Sequence, residues 1–147
     1  MGEKTSDVLL RGLPVWLLII GTEFIHGTIR VLLIEPLAGD LRARQISVLT
    51  GSIIILIISY LFVEKLRATD FIQLFAVGLL WLGLTVSFEI ILGRFIFGLS
   101  WDRIGSDYDV SRGGLLPFGL VFLALAPAIA ARLKMLIFPK KRIFTGV

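Results

Sequence analysis

Apolar residues in this chain come in long runs broken by short polar and charged stretches, not at the spacing of a half-buried helix or strand. Four runs stand out. The first spans about 14–33: its uninterrupted part, 12–22, is short, and Glu23, His26 and Arg30 punctuate the rest. The second, 46–63, has 18 residues and no charge. The third, 71–92, has 22 residues with Glu89 as its one charge, and the fourth, 115–131, has 17 uncharged residues including Pro117 and Pro127. A bilayer core of ~30 Å is crossed by about 20 helical residues, within a range of roughly 17–25. The last three runs meet that length directly, and the first meets it if its polar residues face protein or water. The pattern predicts an all-α polytopic membrane protein. It would be a four-transmembrane-helix bundle in one domain, 1–147, with outer loops at 34–45 and 94–114.

Composition agrees. Of 147 residues, 56% are hydrophobic and 18% charged, against about 25% charged in soluble domains. The absence of cysteine excludes disulfides, thiolate metal sites and cysteine nucleophiles. A net charge of +4 raises nucleic acid as a partner, but the basic residues flank apolar runs, so the bilayer is the expected partner instead. With four spans, Lys4, Arg11, Lys65, Arg67, Arg132, Lys134, Lys140, Lys141 and Arg142 share one side, and Arg30, Arg42, Arg44, Arg94, Arg103 and Arg112 the other. Nine against six places both termini in the cytoplasm by the positive-inside rule. Trp16 and Tyr60 are expected near the inner interface and Trp101 near the outer one. The first run has signal-peptide features, but no small-x-small cleavage pattern follows it, so it is expected to remain a span.

Two constellations carry candidate chemistry. Glu23, His26 and Arg30 stand at i, i+3 and i+7 and stack along one helix face. Gly27 on the same side admits a close neighbour. With Arg30 at the outer interface, Glu23 lies ~10 Å deeper, where an isolated carboxylate is costly and needs a partner or a proton. His26 is the nearest partner, one turn away. Glu89 lies at comparable depth, five residues before Arg94, with Thr85 one turn below and placed to donate to it. If spans one and three adjoin, the carboxylates face each other, a pairing that suits proton transfer or cation binding. The alternative is a structural ion network, Glu89 with Arg30 and Arg94 with Glu23. Glu23, His26, Arg30, Glu89 and Arg94 are therefore the candidate ligand-binding residues.

The outer loops supply a second group: Asp40, Arg44, Asp102, Asp107, Asp109 and Arg112. The aspartates offer oxygen ligands to a hard cation, but their spacing matches no EF-hand. They are expected instead to pair with Arg42, Arg44, Arg103 and Arg112 and tie the loops into a lid, and no metal is expected. The aromatic stretch from Phe95 is expected in the interface, with Ser100 as a helix cap. His26 has no evident second axial partner for a haem, so no cofactor is expected. The basic cluster Lys140, Lys141, Arg142 is placed for lipid headgroups or as a plain stop signal. Small residues Gly51, Ser52 and Ser59 suit close packing of span two. Phe24-to-Arg30 and Phe88-to-Arg94 have equal spacing and each is followed by a polar loop. This is either a parallel two-helix repeat or chance similarity between apolar segments.

The strings Glu23-x-x-His26-Gly27-x-x-Arg30 and Glu35-Pro36-x-x-Gly39-Asp40-x-x-Ala43-Arg44-Gln45, with Phe88-Glu89, Gly93-Arg94, Trp101, Tyr108-Asp109 and Arg112-Gly113-Gly114, resemble small four-span membrane proteins of bacteria. The resemblance implies a bacterial inner-membrane location and no particular activity. Three functions follow. The first is a non-enzymatic membrane protein, expected as an oligomer, that binds or passes a small ligand, ion or lipid at the Glu/His/Arg site. The second is an accessory subunit of a larger membrane complex. The third is an intramembrane enzyme acting on a lipid headgroup, with the acidic residues as general acid and base and Arg30 or Arg94 on phosphate.

Overall fold

A computed structural model describes residues 4–139. Helix α1 (Thr5–Ile29) runs through a π-helical turn (Arg30–Ile34) into the short α2 (Glu35–Ala38). Helix α3 (Asp40–Phe62) ends in a 3-10 turn (Val63–Leu66), and α4 (Phe71–Ile91) in a second π-helical turn (Leu92–Ile96). The short α5 (Trp101–Tyr108), a 3-10 turn (Val110–Arg112) and α6 (Leu116–Ile137) complete the chain. Four segments are long and apolar enough to cross a bilayer: Thr5–Ala38, Asp40–Leu66, Phe71–Ile96 and Leu116–Ile137. Their outward faces present large apolar side chains, among them Leu17, Ile25, Leu32, Ile53, Leu79 and Val121. This is the architecture of a multi-pass helical membrane protein.

The spans are longer than the apolar runs suggest, because the helices continue through the polar residues that flank those runs. The first begins at Thr5 and not near 14, and the expected outer loop at 34–45 is helical apart from one break at Gly39. The π-helical turn explains how the helix survives Pro36. A proline ring clashes with the carbonyl four residues back and donates no hydrogen bond. Widening the turn sends the Glu35 N–H to the Arg30 carbonyl and makes Pro36 an early residue of a new helix, where it is tolerated. Gly39, at φ +80°, breaks α2 from α3 in a conformation other residues rarely adopt. On the opposite face, Asp70 caps α4 by accepting from the Gln73 N–H at 2.9 Å, and Gln73 reaches back to the Thr69 N–H at 2.8 Å, a reciprocal cap. Helix α6 continues through Pro127, which is fully buried. The basic cluster at 140–142 lies outside the described residues.

The four long helices form a ring in which α1 packs on α3 and α4, and α6 packs on the same two. The first and third spans are therefore neighbours, and the link between α3 and α4 must cross the bundle end. It does so by burying Val63, Leu66 and Ala68 and touching α1, α3 and α6. Lys134 of α6 secures this link through an ion pair to Glu64 at 3.1 Å and a position 4.9 Å above the Tyr60 ring. From the termini end to the middle, the core is close-packed around Val8, Val15, Ile19, Leu74, Val77, Trp81, Ala126 and Ala130. Trp81 is fully buried and its Nε1–H donates to the Gly12 carbonyl at 2.9 Å. Gly78 of α4 lies directly against the backbone of Ala124 in α6, the close approach that small residues permit between membrane helices.

Because α1 starts at Thr5, Trp16 is carried three turns into the bundle, and its Nε1–H donates to Thr85 Oγ1 at 3.0 Å. Thr85 accepts from Trp16, and among the described residues no hydrogen bond joins it to Glu89, the contact that the spacing suggested. Trp101 is exposed at the opposite end.

Candidate functional site

Toward the loop end the packing opens into a cavity of about 330 Å³. Its base is apolar, formed by Ile19, Ile55, Leu120 and Leu123, and its middle presents Glu23, His26 and Glu89. The adjacency of α1 and α4 brings both carboxylates to one space, where they interact electrostatically.

Helix α1 sets Glu23 and His26 one turn apart, with His26 Nδ1 at 3.2 Å from Glu23 Oε2. The other ring nitrogen, Nε2, lies 2.8 Å from Thr50 Oγ1 on α3. Thr50 Oγ1 is also 3.0 Å from the Ile46 carbonyl, to which it donates. The imidazole tautomer sets which group donates in each of these contacts, and with Nδ1–H facing Glu23 the ring links the carboxylate on α1 to the Thr50 hydroxyl on α3. Gly51 seats this pair. A Cβ there would stand 2.8 Å from Glu23 Oε2, so glycine lets the carboxylate lie against α3 and a larger residue would shift its flexible end. Glu23 Oε1 is buried with no hydrogen-bond partner, as is Ser47 Oγ one turn along α3.

Glu89 is reached from the loop side by Tyr108, whose hydroxyl donates to Oε2 at 3.4 Å. Burial, with Glu89 beside it, pushes the Tyr108 phenol up to about 12, so it remains a donor at physiological pH. Tyr108 is held by α5, and α5 by an ion-paired roof. Arg44 bridges Asp40 at 2.9 Å and Asp107, and Arg103 reaches Asp40 at 3.0 Å and Asp107 at 3.4 Å. Gln45 donates to the Gly113 carbonyl at 3.0 Å. Four charges shared in one partly buried network are worth more than separate surface pairs. This roof joins the start of α3 to α5.

The other predicted residues are placed as follows. Arg30 lines the cavity. Arg94 does not. The π-helical turn leaves it exposed, where it donates to the Leu99 carbonyl at 3.2 Å and lies 5.6 Å from the Trp101 ring. Neither arginine forms an ion pair with Glu23 or Glu89 among the described residues, so the expected cross-pairing of carboxylates and arginines is absent. Asp102 and Asp109 pair with Arg112 at 3.5 Å and 3.3 Å on the exposed rim, apart from the Arg44–Asp107 roof. Arg42 is exposed outside the network. Among the described residues, no group of three or more acidic or histidine side chains is disposed to hold a metal ion. Ser100 caps α5 by accepting from the Arg103 N–H at 3.1 Å.

Thr50, Gly51, Ser47 and Tyr108 were not singled out as site residues from sequence. Thr50 and Gly51 lie in an apolar run, where hydroxyl and glycine residues read as packing. The one available signal was their spacing: Ser47, Thr50 and Gly51 stand at i, i+3 and i+4, one face of α3. No protein-family model, curated protein or solved structure matches the chain.

Proposed function

We propose that this protein is a non-enzymatic membrane protein that binds a small ligand in the cavity between α1, α3, α4 and α6. The observation that carries the reading is a cavity of about 330 Å³ inside a membrane-crossing bundle, into which two acidic side chains and a histidine project. Packed interiors hold few voids larger than a water molecule, and small-molecule sites begin at about 300 Å³, mostly apolar with a few placed polar groups. Ionisable groups within a membrane span are costly to keep and default to function. The excess of basic residues on the termini side supports cytoplasmic termini, and the resemblance to bacterial four-span proteins supports an inner-membrane location.

An enzymatic reading finds less support. Catalysis by a carboxylate pair on a phosphate-bearing headgroup needs a cation within reach of the same substrate pose; Arg94 is turned away and Arg44 is bound to Asp40 and Asp107, which leaves that role to Arg30 in the cavity lining.

The test is a thermal-shift screen of the purified chain in lipid nanodiscs against a panel of cationic, anionic and neutral small molecules. A ligand present at about 100 times its Kd stabilises by about 2.7 kcal/mol. At least one chemical class is expected to raise the unfolding temperature of the wild type and not of a Glu89→Gln variant. A panel in which every shift is the same in the two proteins contradicts the reading.

A further inference from the structure

The cavity's polar lining is unbalanced in a way that selects a ligand. Its acceptors outnumber the donors that serve them. Glu23 Oε1 has no partner, Ser47 Oγ has none, and Glu89 receives one long hydrogen bond from Tyr108. Of the donors nearby, both nitrogens of His26 are engaged, and the terminal nitrogens of Arg44 are spent on Asp40 and Asp107, while its Nε is buried without a partner. Arg30 lines the cavity without pairing to either carboxylate. Below these acceptors the wall is mostly aliphatic, with the Ser52 hydroxyl donating to the Val48 carbonyl and the Thr85 hydroxyl accepting from Trp16.

The cavity also reaches the surface. Phe97 and Leu99 line it while remaining 59% and 36% exposed. On α1, Gly27 lines it with open space where a Cβ would point. The exposed Phe95, Ile96 and Trp101 at the same end form the kind of aromatic girdle that sits at headgroup depth. The opening therefore lies where amphiphiles concentrate, with polar heads at the interface and apolar bodies in the acyl region.

We propose that the cavity takes a primary ammonium group carried on an apolar body, admitted from the headgroup layer past Gly27 and Phe97. An ammonium has three donors and no acceptor, which matches Glu23, Glu89 and Ser47, and the apolar body rests on Ile19, Ile55 and Leu123. The same chemistry occurs in a free alkylamine and in the headgroup of an ethanolamine lipid. This inference rests on the reading of the cavity as a ligand site.

The experiment titrates octylamine, and separately octanol, into the full chain in phosphatidylcholine nanodiscs, with binding followed by calorimetry. Octylamine is expected to bind saturably, and octanol at least about tenfold more weakly, the cost of leaving buried acceptors without a donor. Glu23→Gln and Glu89→Gln are each expected to weaken octylamine by about tenfold or more while leaving octanol unchanged. Gly27→Leu, which adds bulk where no neighbour stands, is expected to weaken both ligands with helical content unchanged. It keeps the test open should either carboxylate variant fold poorly. Equal affinity for octanol and octylamine overturns ammonium recognition but leaves a ligand cavity standing. No saturable binding of octylamine overturns the ammonium proposal, and the wider ligand reading then rests on the thermal-shift panel alone. Nanodiscs containing phosphatidylethanolamine distinguish the source: a lowered apparent affinity for octylamine supports the lipid headgroup, an unchanged one the free amine.

Discussion

A Gly78→Ala variant is expected to lose about 3 kcal/mol of stability, the upper end of what overpacking costs when the neighbour cannot yield. The added methyl would occupy the position of the Ala124 backbone, so α4 and α6 must separate along their whole contact. A side chain can change rotamer to admit a methyl, but a helix backbone cannot. The control is Gly83→Ala on the same helix, where a Cβ meets nothing within 4 Å. That change should be neutral or slightly stabilising, since alanine is favoured over glycine in a helix by about 1 kcal/mol. Reversible unfolding in mixed micelles reads both. Similar stabilities for the two variants would show that α4 and α6 are not packed as described.

Truncating Trp81 is expected to be as damaging. Trp81→Ala should cost about 3–5 kcal/mol, the range for removing a buried aromatic and leaving a void. Between membrane helices the loss is chiefly of packing, because lipid is as apolar as the core. The change also removes the hydrogen bond that Trp81 Nε1–H donates to the Gly12 carbonyl. Trp81→Phe retains most of the ring and loses the hydrogen bond, so about 1 kcal/mol is expected. The same unfolding measurement separates the two, and equal losses in both variants would assign the role of Trp81 to its hydrogen bond and not to its volume. Trp81 is not among the residues that line the cavity, so its two variants report on the termini-side core.

The helices themselves were legible in the sequence, because a run of apolar residues long enough to cross a bilayer has few other uses. The Glu23–His26 contact was legible too, since residues three apart on a helix must meet. What periodicity does not encode is which helix stands beside which. The neighbouring of α1 and α4 depends on a link that crosses the bundle end, and that link is stabilised by burying Val63, Leu66 and Ala68, residues that read as an ordinary span end and loop. The partners of the carboxylates follow from this ring order, so Thr50 and Tyr108 were invisible without it. The placement of Arg94 failed for a different reason. Counting five residues from Glu89 assumes a regular helix, and the π-helical turn at Leu92–Ile96 changes the direction of every side chain after it. Proline makes the corresponding turn before Pro36 intelligible. No such residue follows Leu92–Ile96, although Gly98 at φ +64° marks where the helix is abandoned.

Two readings of Glu23 and Glu89 compete at the level of principle: polar groups that fix packing, and polar groups that meet a ligand. The roof of Arg44, Asp40, Arg103 and Asp107 is an example of the first, since every charge in it has a partner. The carboxylates below it are less well served, and a fully paired network is what a purely structural role would require. That contrast, within one bundle, is the reason for assigning the site to the cavity and not to the loop aspartates.

The most direct measurement is thiol accessibility. The chain has no cysteine, so a single introduced thiol reports without background. Glu23→Cys and Glu89→Cys are compared with Phe75→Cys and Ile91→Cys, whose parent side chains face outward from the bundle, using a charged, membrane-impermeant thiol reagent on protein in nanodiscs. Both site thiols are expected to react, and to do so well ahead of the two outward-facing controls. Site thiols that react no faster than those at 75 and 91 would mean that the acidic residues look toward the acyl chains, and the cavity would lose its claim to be a site.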